Sequence, residues 1–340
     1  MANDKITSLD VAKLAGVSQS AVSRVFTPGT SVSKKTAEKV RRAAAALGYR
    51  PNVLARSLIT GKSKIIGLVI AYLENYFYPE ALEKLSNALQ AQGYHVLVFM
   101  AGQATPNVDD VLQEILDYQV DGIIMASVGV SSDLASRCQQ AGIPVVLFNR
   151  KQDDERLSAV TSDNFAGGRK VAEFLLAAGH RRIAYIAGWG GAATQRDREA
   201  GFRAGLEEAG LLPAARGVGN FDFGEAAGAA RAIMKQRPDI DAIFVANDHM
   251  AFAVMDVLRF ELKLRVPEDV SVVGYDDVPP AAWPSYNLTT VRQAANQMVA
   301  ETVRMLLERI ENPTTTPRHV AIDAPLVVRG SARKAKGPDE

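Results

Sequence analysis

The sequence has a single cysteine, Cys138, so no disulfide can form within the chain and no site can rest on several thiolates. Cys138 falls in a stretch that reads as helical, where a small inert core residue is expected. Histidine is scarce as well. His95, His180, His249 and His319 are too dispersed to make a sequence-local metal motif. Long apolar runs are missing too: residues 65–73 form one of the longest, well short of the ~20 residues a membrane helix needs. Residues 1–5 carry no apolar region after a basic start, which leads us to expect no export and a cytoplasmic location. No nucleophile–base arrangement is evident either, so no catalytic residue, metal or cofactor is expected.

What is present is an ordinary globular composition over 340 residues, 47% hydrophobic and 23% charged, enough for two or three domains with full cores. The net charge of +1 averages two unlike parts. Residues 1–62 hold eleven Lys/Arg against three acids, a balance of +8, and the remainder holds 28 against 35, a balance of −7. A small basic head on a mildly acidic body points to a polyanion for the head alone, and nucleic acid is the commonest such partner.

The first 50 residues read as three short helices. The first runs over 10–15 and stops at Gly16, which can take the left-handed backbone of a tight turn. Ser18 suits an N-cap for a second helix through about Phe26, with Val22 and Val25 facing inward. Small Ala12, Gly16 at the turn and Val22 between the helices fit helix-turn-helix spacing. Ser33 caps a third helix whose Val40, Ala44 and Leu47 cover that pair. On the outer face Gln19, Ser20 and Arg24 are placed to read base edges in the major groove, since arginine can bridge guanine bidentately. Thr7, Ser18, Ser23, Thr27, Ser33 and Thr36 would hold phosphates, which fixes position without reading sequence. The plain alternative is a solvated polar helix face.

Pro51 can start a helix and Gly61 can end one, yet the intervening segment is shorter than the ~12–15 residues that make an isolated helix even marginal. It should be ordered only when something holds it. Leu9-Asp10-Val11-Ala12-Lys13-Leu14-Ala15-Gly16-Val17-Ser18, Ala21-Val22-Ser23-Arg24-Val25, Leu47-Gly48-Tyr49, Pro51-Asn52 and Ala55-Arg56-Ser57-Leu58 resemble the headpiece and hinge of the lactose-repressor (LacI/GalR) family. The resemblance implies that residues 51–62 fold as a hinge helix on DNA and pair with a dimer mate in the minor groove. Leu58 would be the kinking wedge, with Asn52 and Ala55 along the groove and Leu54 toward the partner hinge.

From about residue 63 short β-branched runs alternate with helical stretches. Strands are expected at 65–71, 96–100, 122–125, 144–148, 183–187, 242–246 and 270–275, and helices at 79–92, 165–178, 196–209, 224–236, 249–262 and 294–311. The alternation predicts an α/β body of doubly wound parallel sheets, with ligands beyond the carboxyl ends of the strands. Polar residues follow those strands at Asn149 and Arg150, Asp163 and Asn164, Asn247 and Asp248, and Asp276 and Asp277. Such residues also cap helices, and Asp163, Asn164 and Asp248 lean that way. Gly188-Trp189-Gly190-Gly191-Ala192-Ala193 matches a dinucleotide-binding pattern, but no acidic residue ends a second strand about twenty residues on.

The resemblance continues through Ala178-Gly179-His180-Arg181-Arg182-Ile183-Ala184, Arg198-Glu199-Ala200-Gly201-Phe202, Ala246-Asn247-Asp248, the run 266–277 and Leu288-Thr289-Thr290-Val291. These are similar to the family's effector-binding core, which is related to periplasmic sugar-binding proteins. It implies an all-α helix-turn-helix headpiece over 1–50 with a hinge helix over 51–62. A periplasmic-binding-protein-like core follows over 63–330, one subdomain near 63–161 and 293–320, the other near 164–290 and 323–330. Asn149, Arg198, Phe221, Asn247 and Asp276 match effector-binding positions. Asn149 stands where many sugar-binding members carry aspartate, and Ala295 where some carry an aromatic. Arg150 and Arg198 together favour an anionic ligand such as a sugar acid, unless Arg150 pairs with an acid across the cleft. Residues 331–340, small and charged, read as a flexible tail without the leucine heptads of a tetramerisation helix. A homodimer is the expectation, with helix 79–92 in its interface.

The leading expectation is a regulator, a repressor by preference, that binds a near-palindromic double-stranded operator under control of a small polar effector. A solute-binding protein would share the core but not the basic head. An NAD-dependent enzyme has only the glycine-rich turn at 188–193 in its favour.

Overall fold

A computed structural model describes residues 6–27, 30–50, 62–101, 108–127, 131–152, 154 and 156–335. The chain divides into two compact units, Met1–Lys64 and Ile65–Glu340. Among the described residues no helix is long and apolar enough to cross a membrane. The expected hinge, with Asn52, Ala55 and Leu58, lies outside the described residues apart from Lys62.

The first unit holds helices α1 (Ser8–Ala15), α2 (Gln19–Phe26) and α3 (Lys34–Leu47). Their shared core is Val11, Ala12, Val22, Val40, Ala43 and Ala44, with Val25 and Leu47 packed against it. Gly16 sits at φ 65° and lets the chain turn, its neighbour Val17 donating its N–H to the Ala12 carbonyl at 3.1 Å. One boundary differs from expectation. α1 begins two residues earlier because Thr7 precedes it, with Asp10 accepting from both the Thr7 N–H (2.9 Å) and hydroxyl (2.7 Å).

The second unit is built on two six-stranded sheets. Sheet one contains β1 (Ile65–Ile70), β2 (His95–Met100), β3 (Gly122–Ala126), β4 (Val145–Phe148), β5 (Ser158–Ser162) and β11 (His319–Ile322) in the order β11-β5-β4-β3-β1-β2, all parallel. Sheet two contains β6 (Ile183–Ala187), β7 (Ala215–Val218), β8 (Ala242–Val245), β9 (Ser271–Asp276), β10 (Thr289–Arg292) and β12 (Leu326–Val327) in the order β12-β10-β9-β8-β6-β7, with β12 antiparallel to β10. The central strands read as unbroken apolar runs because helices cover both faces, and every residue of β1 is buried. Edge strand β2 alternates instead, leaving Val98 and Met100 exposed.

Helices fill the crossovers: α4 (Phe77–Ala91), α5 (Val108–Asp117), α6 (Ser132–Gln140), α7 (Asn164–Ala177), α8 (Ala193–Glu207), α9 (Phe223–Gln236), α10 (Asp248–Asp256) and α11 (Ala295–Glu311). The helix expected through 262 does not continue as α. After Asp256 the chain widens into a π-helical turn, Val257–Glu261, in which Leu262 donates its N–H five residues back to Val257 at 3.0 Å.

The chain crosses between the sheets after β5, after β10 and after β11. These crossings are tied together: Asp163 N–H reaches the Ile322 carbonyl (2.7 Å), Arg292 N–H reaches Pro325 (2.8 Å), and the Ser162 hydroxyl reaches Gln293 Oε1 (3.0 Å). The tail expected over 331–340 needs correction at its start. Ser331 and Ala332 are buried, the Ser331 hydroxyl donates to the Val272 carbonyl (2.6 Å), and Arg333 N–H donates to the Ser271 hydroxyl (3.0 Å). Its small residues suit a strand-edge contact that a composition reading cannot see.

Candidate functional site

In the headpiece, Gln19, Ser20 and Arg24 are all exposed on α2, opposite the buried Val22. Gln19 Nε2 donates to the Ser8 hydroxyl (2.9 Å), and Arg24 Nε folds back onto the Ser20 carbonyl (3.3 Å). Several expected phosphate positions also do local work. Ser18 Oγ accepts from Ala21 N–H (3.3 Å) and Ser33 Oγ from Thr36 N–H (3.2 Å), so both cap helix N-termini, where backbone donors already favour an anion. The Thr27 hydroxyl donates to the Ser23 carbonyl (2.8 Å), the Thr36 and Ser33 hydroxyls share a contact of 2.9 Å, and Thr7 is held by Asp10.

The second site lies between the two sheets of the core. Asn149, Arg198, Phe221, Asn247 and Asp276 all line one cleft of about 290 Å³, joined by Tyr72, Asn75, Tyr78, Ser127, Arg150 and Thr194. All but Arg198, which stands in the second turn of α8, sit at or beyond a strand's carboxyl end or in the first turn of the next helix, where a parallel sheet leaves room for ligand. Asn149, Phe221 and Asp276 take positive φ of 54°, 64° and 125°, as does Ser127 at 64°. Left-handed backbone in four cleft residues is local strain that the surrounding fold must hold.

Arg198 is the best-held cation. Its Nη2 donates to Asp276 Oδ1 (3.3 Å), Nη1 to the Ala246 carbonyl (2.6 Å) and Nε to Asn164 Oδ1 (2.8 Å), while the guanidinium lies 3.7 Å from the Tyr275 ring centre. Two glycines on α7 make this possible. A Cβ on Gly168 would stand 2.1 Å from the Arg198 carbonyl oxygen, and one on Gly167 would stand 2.4 Å from the Tyr275 hydroxyl. The expected capping role of Asn164 is thus corrected: Asp163 caps α7 through Ala166 N–H (3.0 Å), and Asn164 orients Arg198.

Asp276 also accepts from Asn75 (3.1 Å) and Gln293 (2.7 Å), so one carboxylate joins both halves and a crossing. Burial pushes its pKa up, opposed by the Arg198 charge. Asp248 was expected to cap α10, but Asn247 does so, its Oδ1 accepting from Met250 N–H (3.0 Å). The buried Asp248 carboxyl instead accepts from the Thr290 hydroxyl (2.6 Å) and Val278 N–H (3.0 Å). Burial, then the Asp276 charge, pushes its pKa up to about 8, against the lowering effect of these two hydrogen bonds.

The glycine-rich turn at 188–191 serves packing. A Cβ on Gly188 would stand 2.2 Å from the Phe221 ring, so the glycine makes room for the aromatic that lines the cleft. Tyr72, Asn75, Tyr78, Ser127, Thr194 and Gln293 were not foreseen. Ser127 follows β3 as Asn149 follows β4, so the same rule applied to every strand would have found it, whereas Asn75 lies well past the end of β1 and gave no such signal. Among the described residues no cluster of three His, Cys, Asp or Glu could hold a metal.

Both units of the chain match known proteins. Residues 7–52 match the family described as bacterial regulatory proteins, lacI family, and residues 172–332 match the periplasmic binding protein-like domain. The HTH-type transcriptional regulator CelR of Thermobifida fusca is 34% identical over 330 residues, 94% of this chain and 96% of that protein. The chain belongs to the LacI family. The HTH-type transcriptional repressor PurR of Vibrio vulnificus is another LacI-type relative, 30% identical over 96% of this chain and 99% of its own. Among solved structures, a lac repressor dimer bound to operator and the anti-inducer ONPF superposes with a TM-score of 0.87 at 27% identity, covering 97% of this chain and all of that one. A CelR–cellobiose complex superposes at 0.73 with 33% identity over 96% of this chain and 100% of its own. This LacI-family chain is accordingly a DNA-binding transcriptional regulator that responds to a small-molecule effector.

Proposed function

We propose that two chains bind one near-palindromic operator as a repressor and that the core cleft holds the effector that sets their affinity. The observation that carries the effector half is the meeting of Asn149, Arg198, Phe221, Asn247 and Asp276 in a single cleft lined from both halves of the core. A ligand there contacts both halves at once, so it can favour one relative orientation and shift operator affinity by its differential binding to the two states. Asn149 and Asn247 offer polar groups to hydroxyls, Phe221 an apolar ring for a sugar C–H face, and Asp276 and Arg198 the central ion pair. The lac repressor and CelR structures, with small ligands named alongside operator or regulator, support a sugar-like effector.

On DNA, Gln19, Ser20 and Arg24 read bases, and Thr7, Ser18, Ser23, Thr27, Ser33 and Thr36 face phosphates. The hinges carry Asn52, Ala55 and Leu58 into the minor groove at the operator centre. The dimer interface is formed through the first half of the core, and α4 is the helix expected to contribute. The chain acts in the cytoplasm on DNA and performs no chemistry of its own.

Selection of bound duplexes from a random library tests the reading. A near-palindrome should emerge, Arg24→Ala should relax its base preference, and Lys35→Ala should weaken all sequences alike. If both variants bind the selected site like the parent, the headpiece assignment fails.

A further inference from the structure

Many charged side chains of the core pair with one another, but one buried cation in the cleft does not. Arg150 follows β4 and is only 8% exposed. Its Nη2 donates to the Ser127 carbonyl (2.6 Å), its guanidinium faces the Trp189 ring at 5.7 Å, and its Nε has no partner. No carboxylate among the described residues comes within ion-pairing distance of it, and the charged and titratable groups acting on it are Tyr78, Tyr72 and Arg196. The acid that could have crossed the cleft, Asp276, is occupied by Arg198, Asn75 and Gln293. Arg150 and Arg198 against Asp276 leave the ligand-facing walls one positive charge in excess.

A guanidinium removed from water without a counter-ion is costly, and its planar fork suits a carboxylate or phosphate. Two further orphans share the cleft. Asn149 Oδ1 and Asn247 Nδ2 are buried without partners, one an acceptor and one a donor, as a hydroxylated ligand requires. The lining of the cleft is thus mostly polar, with Phe221 as an apolar ring among asparagines, hydroxyls and the two arginines.

We infer that the effector is a polyhydroxylated anion, with its carboxylate or phosphate on Arg150 and its hydroxyls between Asn149 and Asn247. This rests on the reading of the cleft as the effector site. It separates the two arginines: Arg198 is a fixed part of the wall, and Arg150 is the group the ligand completes.

Three measurements on the full chain test it. Arg150→Met should raise the ligand-free melting temperature, because an unpaired buried charge is removed; a lower one would reveal a hidden internal partner and overturn the inference. Inorganic phosphate, at ionic strength matched with chloride, should raise the melting temperature of the parent and not that of Arg150→Met. Equal protection of both overturns it. Calorimetry with gluconate, glucuronate, glucose 6-phosphate and glucose should then give tighter binding for a charged member than for glucose. The preferred member distinguishes carboxylate from phosphate, and Arg150→Gln should weaken it roughly 10- to 100-fold, a larger loss than it causes for glucose. If glucose binds as tightly as the anions, is indifferent to Arg150→Gln and is lost in Asp276→Asn, the anionic inference fails and the effector cleft stands. If a ligand binds but is indifferent to Asp276→Asn and Arg198→Ala, the cleft reading itself fails. No protection by any of the anions also overturns the inference.

Discussion

The headpiece and the core treat charge in opposite ways. Among residues 6–27 and 30–50 of the headpiece, none of the ion pairs found involves a Lys or Arg. Every ion pair found, from Lys84–Glu80 to Arg329–Asp277, belongs to the core. One unit carries a cationic surplus with few acids beside it, and the other pairs many of its charges within itself. Net charge alone hides this division, because the two balances cancel to +1.

The largest test of that contrast is salt. If the headpiece neutralises ~6–10 phosphates, operator affinity should fall by roughly 10³–10⁵ between about 50 and 200 mM salt, as read by fluorescence anisotropy. A shallow slope would mean that the headpiece cations do not meet the backbone.

Next in size is Arg198→Ala, which strands the buried Asp276 carboxylate. Breaking a buried pair in this way costs about 3–5 kcal/mol. Denaturant unfolding followed by Trp189 and Trp283, both in the core, should show the midpoint drop, and a parental midpoint would show that the pair is not structural.

A pH series on Asp248 probes the same buried charge. Its folded pKa of about 8 lies above the ordinary 3.8, so between those values the folded chain holds a proton that the unfolded chain has lost. Stability contributed at this site should therefore fall as pH rises across that window and level off above it. Asp248→Asn should flatten the profile and be most stabilising relative to the parent near its alkaline end. An unaltered slope would place the titration elsewhere.

The smallest effect belongs to the headpiece. Ser33→Ala removes the cap of α3 and should cost about 1 kcal/mol, seen as faster amide exchange in that helix with the core unaffected.

How far sequence carries depended on the distance over which each residue acts. The turn at Gly16, the inward Val22 and the strands of the core follow from local pattern, and polar residues after strands led to Asn149, Asn247 and Asp276. The same local rule misjudged Asn164 and Asp248, because their partners Arg198 and Thr290 are 34 and 42 residues away. Arg198 itself was reached through family resemblance, since nothing in its own helix announces that Gly167, Gly168 and Tyr275 build its seat. Ser331 looked like part of a loose end until its contact with Val272, 59 residues earlier, was seen.

The left-handed backbone at Ser127, Asn149, Phe221 and Asp276 also limits how this regulator can be taught a new signal. Most side chains resist that conformation, so exchanges at those four positions disturb the main chain as well as the ligand contact. Tyr72, Arg150 and Thr194 line the same cleft with ordinary backbone. A library confined to these three positions can change what the cleft accepts while keeping the frame that transmits the response.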